Sequence, residues 1–285
     1  MTRLLRWTGY ILVALLAIVL LAAAWVWFAS SRALSARLEP RPAHLTTPSL
    51  AQLRDGPRQL KITGCVGCHG EGLRGKSFLD LPGIVRLYAP NLTLIAAKAN
   101  DNQLEQAIRQ GIGHDGRPLL VMPSQGYQFM TDGEVAAIIA AIRALPAGGQ
   151  EQPAAWVGPR GRVGLALGKF STAPQLIEQY RADRIPDFGP AFARGRQMVE
   201  VNCAECHGPQ LKGKELEPGV VSPDLEIAGA YDLAQFQTML RTGVAPGGKD
   251  IGLMGRIARS DFKYLTDEEI AAIHAYLAER ARRMP

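Results

Sequence analysis

The hydrophobic pattern of the chain begins with one long apolar stretch. No charged residue occurs from Trp7 to Ser31, and Gly9 to Ala29 is almost entirely apolar. About 20 helical residues, at roughly 1.5 Å each, span a hydrocarbon layer of ~30 Å. Tryptophan and tyrosine lie at both ends of the stretch, as in membrane interfaces. The pattern predicts a transmembrane anchor over residues 7–29.

A cleaved signal peptide is the alternative interpretation of this segment. Small residues in Ala29-Ser30-Ser31 leave a cleavage site open. The apolar core of a signal peptide is usually about 7–15 residues, however, and this stretch is longer. We therefore expect an uncleaved anchor.

The rest of the chain shows helical rather than strand periodicity. Two capping boxes, Thr131-x-x-Glu134 and Thr266-x-x-Glu269, each precede apolar residues at helical spacing. Helical patterning also covers residues 101–110 and 233–241, and no convincing alternating pattern is present. The sequence predicts an all-α fold. The apolar positions of the two capped helices are Val135, Ile138, Ile139 and Ile142, and Ile270, Ile273 and Leu277.

The two halves of the chain repeat each other. Arg58-Gln59-Leu60 matches Arg196-Gln197-Met198, and Arg109-Gln110-Gly111 matches Arg241-Thr242-Gly243. A duplicated module explains this pattern, with one domain over residues 48–146 and a second over 188–285. Residues 147–187 between them are rich in proline and predict a linker with one short helical piece near 175–180. Forty residues is long for a bare linker, so we expect it to pack against one of the two domains or a partner.

Charge is spread rather than concentrated. The net charge of +6 divides into +4 for residues 1–43, +2 for 44–146, +2 for 147–186 and −2 for 187–285. A nucleic-acid-binding protein would concentrate lysine and arginine on one domain. The distribution predicts no nucleic-acid partner.

All four cysteines lie in two copies of one motif. Cys65-Val66-Gly67-Cys68-His69 is the first, and Cys203-Ala204-Glu205-Cys206-His207 is the second. C-x-x-C-H is the attachment motif of a c-type haem: both thiols bind the porphyrin vinyl groups, and the histidine is an axial iron ligand. The motifs predict two covalently bound haems, attached at Cys65 and Cys68 and at Cys203 and Cys206, with His69 and His207 as iron ligands.

Other uses of paired cysteines fit less well. A shared structural zinc site would place the pairs roughly 15–20 residues apart, whereas Cys68 and Cys203 are far apart in the sequence. A thioredoxin-like redox pair needs a βαβ context, which is not visible here. Disulfides would need no histidine.

The repeat also indicates the sixth iron ligands. Met122 and Met254 occupy matching positions, each in a glycine-rich stretch between two helical patterns, and no other methionine pair does so. Methionine usually fills gaps in a core, but recurrence at one position favours ligation. His114 is the rival ligand in the first domain. His44 and His274 do not recur, and we expect them to be structural or surface groups.

Each half resembles a class I cytochrome c domain. The resemblance covers roughly residues 50–146 and 188–283, and the stretch from Asp115 to Ser124 is similar to the methionine loop of cytochrome subunits of bacterial membrane dehydrogenases. It implies that Pro90 and Pro223 accept hydrogen bonds from the axial histidines. The second half departs from the pattern, because Gly255 follows Met254 where Pro123 follows Met122.

The expected function is electron transfer, since His/Met ligation leaves the iron no open position and raises its potential. The chain would relay single electrons from a dehydrogenase or another cytochrome toward a terminal acceptor. Covalent haem attachment resembles the bacterial system outside the cytoplasmic membrane, which implies periplasmic haem domains. The alternative is a dihaem enzyme, a peroxidase or a thiosulfate-type oxidoreductase, with one open or weakly ligated iron. Whether the chain catalyses a reaction by itself stays open.

Overall fold

The chain begins with one long exposed helix. A computed structural model describes residues 2–217 and 219–284. Helix α1 (Thr2–Ser35) contains the apolar stretch, with a mean hydropathy of 2.8 over its most apolar 18 residues. Among the described residues it is the one helix long and apolar enough to cross a membrane. This agrees with the predicted anchor, although a signal sequence has the same properties.

The first domain is built on a crossing of two helices. A Cβ added at Gly56 would lie 2.7 Å from the carbonyl oxygen of Ala137, so the two backbones approach closely at this crossing. Leu60, Leu104, Ile108, Val135 and Ile138 lie in the core beside it. The elements are α2 (Leu50–Ile62), α3 (Cys65–His69), β1 (Lys76–Leu81), β2 (Val85–Ala89), α4 (Leu92–Lys98), α5 (Asp101–Glu105), α6 (Ser124–Tyr127) and α7 (Asp132–Arg143), with a 3₁₀ turn at Glu71–Leu73 and a π-helical turn at Gln106–Gln110.

The linker is more structured than the sequence predicts. It forms β3 (Trp156–Val157), α8 (Pro159–Ala166) and α9 (Ala173–Ala182). Helix α9 confirms the expected helical piece, whereas β3 and α8 were not predicted. Strand β3 extends the β1–β2 hairpin into a three-stranded antiparallel sheet, in which Val85 pairs with Val157. The segment therefore packs on the first domain, which is one of the two partners expected for it from the sequence.

The second domain repeats the helix crossing. A Cβ added at Gly195 would lie 2.1 Å from the carbonyl oxygen of Ala272. The elements are α10 (Ala193–Asn202), α11 (Ala204–His207), β4 (Glu215–Glu217), β5 (Val220–Val221), α12 (Leu233–Thr242), β6 (Val244–Ala245), β7 (Lys249–Asp250), α13 (Leu253–Ser260) and α14 (Asp267–Arg283), with 3₁₀ turns at Pro190–Phe192, Leu225–Ala230 and Phe262–Tyr264.

Both predicted capping boxes are present. Thr131 accepts a hydrogen bond from the amide of Glu134, whose carboxylate accepts one from the amide of Thr131. Thr266 and Glu269 make the same reciprocal pair. Helices α7 and α14 begin at these boxes, as the sequence predicts. The fold is predominantly helical, and its short strands do not change the predicted all-α class.

The two domains share one interface. Arg58 on α2 donates to the Glu269 carboxylate over 2.7 and 3.0 Å, and Arg194 on α10 donates to Glu134 over 2.5 Å. Since Glu134 and Glu269 are the matching capping-box residues, the contacts are nearly reciprocal. Ile62 belongs to the second core and Val201 to the first, so each core extends across the boundary. Direct ion pairs and apolar contacts therefore join the two domains, in addition to the linker.

Candidate haem-binding sites

The first haem motif forms the short helix α3. Cys65 and His69 are buried, and both cysteines are free thiols. His69 Nδ1 lies 2.8 Å from the carbonyl oxygen of Pro90. Because a carbonyl only accepts, Nδ1 carries the proton and Nε2 keeps its lone pair for a metal. Burial lowers the pKa of His69, which favours the neutral imidazole that ligation requires.

The second motif has the same local structure. His207 is buried in α11, and its Nδ1 donates to the carbonyl oxygen of Pro223 over 2.8 Å. Burial again lowers the pKa of this imidazole. Ser222, just before the proline, donates from Oγ to the carbonyl of Cys206 over 2.6 Å. Both histidine–proline contacts implied by the family resemblance are therefore present in the structure.

A buried leucine follows each motif in an unusual backbone conformation. Leu73 and Leu211 have φ of +55° and +60° and are 1% and 0% exposed. These left-handed values are uncommon for a residue with a Cβ. Just beyond each leucine, the Gly75 and Gly213 amides donate to the carbonyls of His69 and His207 over 2.7 and 2.9 Å. The turns tie each histidine to the chain that follows it, and sequence reasoning missed them because periodicity carries no information on φ.

The first motif opens into a large apolar cavity. Its volume is about 1250 Å³, and Cys65, Cys68 and His69 line it together with Met122 and Pro123. Pockets for single small ligands usually measure about 300–1,000 Å³. Free thiols, a neutral imidazole with an available Nε2, a thioether and apolar walls are the groups that a covalent c-type haem needs. The cavity fits that cofactor, and its other apolar lining residues include Leu104, Ile108, Tyr127, Met130, Ile138 and Ile142.

The cavity extends to the end of helix α1. Ala22, Ala23, Val26 and Trp27 form part of its wall. His114, the rival ligand, also lines the cavity, but it is exposed. The structure therefore brings Met122 and His114 to one cavity with His69, and the choice between them stays a prediction. The location of the α1 residues places the first haem site beside the apolar segment.

The surroundings of Met254 differ from the prediction. It lies in the first turn of α13 rather than in an irregular stretch, although the glycine-rich segment precedes it. Met254 is partly buried and packs against the second core, as does Cys203. The missing proline also has a physical reason: a Cβ added at Gly243 would lie 2.6 Å from the Cα of Gly255. The two glycine backbones meet at the positions that Gly111 and Pro123 occupy in the first domain.

The other two histidines make hydrogen bonds outside both motifs. His274 on α14 makes a 2.8 Å hydrogen bond from Nε2 to the carbonyl oxygen of Tyr231. The carbonyl of His44 accepts from Arg109 over 3.4 Å. These contacts agree with the structural roles expected for both residues.

Comparison with known proteins identifies both domains. Residues 192–281 match the family described as cytochrome c, and residues 51–140 match the family described as cytochrome c oxidase, cbb3-type, subunit III. The intervening segment and the apolar helix lie outside both matches.

Two curated relatives match most of the chain. The cytochrome subunit of fructose dehydrogenase from Gluconobacter japonicus is 24% identical over 273 residues, covering 84% of this chain and 54% of the relative. The cytochrome c subunit of alcohol dehydrogenase (quinone) from Gluconacetobacter polyoxogenes is 23% identical over 265 residues, covering 80% and 55%. The chain spans about half the length of the curated relatives it matches. The chain therefore contains two cytochrome c domains in tandem, with two covalently bound haems, and it is similar to the cytochrome subunits of fructose and alcohol dehydrogenases.

Proposed function

We propose that the chain relays single electrons between two closed, six-coordinate haems. In this proposal Cys65 and Cys68 hold the first haem and Cys203 and Cys206 the second. His69 with Met122, and His207 with Met254, occupy the axial positions of the two irons. The haem supplies the one-electron chemistry, whereas the protein orients the ligands, excludes water and sets the potential.

The reciprocal packing of the two haem motifs carries this proposal. A Cβ added at Gly67, within the first motif, would lie 3.8 Å from the Asp261 carboxylate of the second domain. A Cβ added at Gly126, on α6 of the first domain, would lie 3.1 Å from the carbonyl oxygens of Glu200 and Val201, just before the second motif. Gln125 donates to the carboxylate of Glu205 inside the second motif. Both attachment motifs therefore border one interface, which suits transfer from one haem to the other.

The position of helix α1 suggests a route for the electrons. Since the end of α1 lines the first cavity, we propose that the first haem faces the membrane side and that the second exchanges electrons with a protein partner. The relatives are subunits of fructose and alcohol dehydrogenases. A dehydrogenase or another cytochrome is accordingly the proposed donor, and a terminal acceptor receives the electrons. The haem domains are placed in the periplasm by this proposal.

Spectroscopy and potentiometry of the full chain test the axial assignment. The ferric protein should be low-spin at both irons and show the methionine–iron charge-transfer band, and the reduced protein should bind carbon monoxide poorly. Met122→His and Met254→His should each lower one of two reduction potentials and leave the other, because the thioether that stabilises ferrous iron is lost.

The opposite results are equally clear. A high-spin iron in the unmodified protein, or rapid turnover of peroxide, would contradict closed sites and favour the enzyme alternative. A Met254→His variant with both potentials unchanged would remove Met254 from the ligand set. Met254 is the more informative position, because its helical setting differs from that of Met122.

A further inference from the structure

The loop that carries Met122 has few regular backbone contacts of its own. Between Gly111 and Pro123, the Leu119 amide donates to the carbonyl of Gly111 over 2.7 Å, and the Gly113 amide donates to that of Arg117 over 2.8 Å. These bonds close a small turn, but they do not fix the turn relative to the cavity. Contacts from outside the loop hold it in place, among them the hydrogen bond from the Ala173 amide at the start of α9 to the carbonyl of Leu119 over 2.8 Å.

Residues 36–41, which follow helix α1, provide such contacts; we call them the juxtamembrane strap. The amide of Leu38 donates to the carbonyl of Gly116 at the loop tip over 3.0 Å. The amide of Arg41 donates to Gln110 Oε1 over 2.8 Å, and Gln110 Nε2 donates back to the carbonyl of Arg41 over 3.1 Å. Arg37 also donates to the carbonyl of Asp115. The strap thus contacts the loop at its base and at its tip.

The base contact is well buried. Gln110 ends the π-helical turn that leads into the loop, and its side chain is buried beside that of Glu105. Gln110 Nε2 donates to Glu105 Oε2 over 3.1 Å. A buried amide without its partners is costly, which makes this junction specific. Gly111 follows with φ of +65°, so the chain turns sharply away from the helix into the loop.

Helix α1, from which the strap starts, is fixed to the linker. Ser30 is fully buried near the end of α1, and Arg162 of α8 donates to the Ser30 and Ser31 hydroxyls over 3.0 Å each. The Arg162 guanidinium also stacks 4.0 Å from the centre of the Trp27 ring. Helix α8 in turn joins the sheet, where the Gly158 amide donates to the carbonyl of Ile84 over 2.8 Å. The strap therefore runs between a helix fixed to the linker and the Met122 loop.

The second domain has no counterpart of this arrangement. Within the described part of the chain, the hydrogen bonds of residues 244–252 all have their partners between Thr242 and Arg259. Glycines 247, 248 and 252 have open space where a Cβ would be placed. The matching base residue of the repeat is Thr242, which is exposed. The two otherwise similar domains differ in what holds the segment before the methionine.

We propose that the juxtamembrane strap positions the Met122 loop, so that the apolar helix and its extension stabilise axial ligation at the first haem. The inference rests on the proposed role of Met122 as a ligand. Loss of a strap contact favours opening of the loop and makes the sixth position of the first iron easier to occupy. The second haem is unaffected, because its methionine segment lacks a strap.

Imidazole binding to the ferric full-length holoprotein tests this proposal. Leu38→Pro removes the amide that bonds to Gly116, and Gln110→Ala removes the bonds to Arg41. Each variant should bind imidazole at the first haem about tenfold more tightly than the unmodified protein, which corresponds to about 1.4 kcal/mol. Binding at the second haem should not change.

Three controls separate the hydrogen bonds from other effects. Leu38→Ala shortens the same side chain but keeps the amide, and Glu39→Pro places proline at the next position, where no backbone hydrogen bond from the amide is present among the described residues. Both should bind imidazole as the unmodified protein does. Thr242→Ala, at the matching position of the second domain, should alter neither haem.

Met122→Ala shows which step of the imidazole titration belongs to the first haem. It also separates an error in the ligand assignment from an error in the strap proposal. The imidazole-binding step that changes in this variant belongs to the first haem. If Met122→Ala leaves the methionine–iron band and imidazole binding at both haems unchanged, the ligand assignment itself is wrong. If Met122→Ala removes one band but Leu38→Pro and Gln110→Ala bind imidazole like the unmodified protein, the ligand stands and the strap proposal is overturned.

Discussion

Leu73 and Leu211 show how single residues shape the haem sites. Both are fully buried in left-handed backbone conformations, although such conformations cost about 1–3 kcal/mol for a residue other than glycine. Burial of a leucine side chain contributes about 1.5–3 kcal/mol, which offsets that cost. The same solution occurs in both domains, so it belongs to the duplicated module. The turn keeps the histidine carbonyl bonded to the following glycine amide.

Replacement of either leucine should destabilise its domain. Leu73→Ala and Leu211→Ala each remove a fully buried side chain, and we expect the free energy of unfolding to fall by roughly 2–5 kcal/mol. Guanidinium unfolding followed at the haem absorption and by circular dichroism measures this change. Leu81→Ala is the control, since Leu81 is 42% exposed on β1, and its effect should stay within about 0.5 kcal/mol. Equal effects at Leu73 and Leu81 would contradict a structural role for the turn.

The sequence indicates some of these residues and not others. The cysteines and histidines follow from motif spacing alone, and the proline carbonyls follow from the family resemblance. Leu73 and Leu211 match each other in the repeat, but a leucine in a pattern predicts only burial. The helix around Met254 was missed because glycines on both sides suggested a loop, whereas Gly243 and Gly255 are there for close backbone contact.

Glycine also sets how closely the main helices approach. Helices α2 and α7 cross at Gly56, and helices α10 and α14 cross at Gly195. At each crossing the obstacle to a side chain is a backbone carbonyl, which cannot rotate away. The gap is tighter at Gly195, where the added Cβ would lie 2.1 Å from the carbonyl rather than 2.7 Å. The positions of both crossings determine where the motifs after α2 and α10 lie.

A methyl group at these crossings should destabilise the domains unequally. Overpacking costs about 1–3 kcal/mol, and we expect Gly195→Ala to lower the free energy of unfolding more than Gly56→Ala. Thermal and guanidinium unfolding of the holoprotein provide the measurement. Gly148→Ala is the control, because the nearest atoms to its added Cβ are those of the Arg74 guanidinium at 3.5 Å, an ordinary contact distance. If all three variants unfold alike, close backbone contact is not what the glycines provide.

Elements with strong local signals were predicted, and elements formed by tertiary contact were not. Helices α7 and α14 begin at capping boxes and carry regular apolar faces. Helix α8 contains two glycines and few apolar residues, and it forms where it packs on α1. Strand β1 is almost wholly exposed and shows no alternation, so its pairing with β2 leaves no pattern in the sequence.

The ion pairs between the domains hold the two haem motifs against one interface. Arg58 is bonded to Asp55 and to Glu269, and these carboxylates raise the pKa of its guanidinium. Across the pseudo-symmetric contact, Glu134 accepts from Arg194 and Gln197. Burial opposes ionisation of Glu134, but the hydrogen bonds from Arg194 and the Thr131 amide outweigh it and lower the pKa of the carboxyl. The ionised form of Glu134 is therefore the one that holds the domains together.

This contact should make the stability of the domain interface depend on pH. A carboxyl with a depressed folded-state pKa contributes stability above its ordinary pKa of about 4.3, and the contribution is lost as the pH falls through the folded-state value. The unfolding free energy of the unmodified protein should exceed that of Glu134→Gln by a constant amount from about pH 6 to 7, and this difference should shrink toward about pH 3. If the difference in unfolding free energy between the unmodified protein and Glu134→Gln is independent of pH, the charge of Glu134 is not what stabilises the interface. Glu279→Gln is the control: Glu279 pairs with Arg282 and Arg283 on its own helix α14, so its loss should show no comparable effect on the interface.

Helix α1 is joined to the rest of the molecule by contacts that a signal peptide would lose. Cleavage near residues 29–31 would separate Trp27 from Arg162 and would remove or expose the buried Ser30. We therefore predict that the anchor is retained: alkaline carbonate should not release the protein from membranes, and the mature N-terminus should still include Arg3. Arg162→Ala should leave membrane retention unchanged while loosening the junction, which limited proteolysis between residues 30 and 45 can detect. A mature N-terminus near residues 30–37 would contradict the anchor, because the structure would then have lost the end of α1 that lines the first haem cavity.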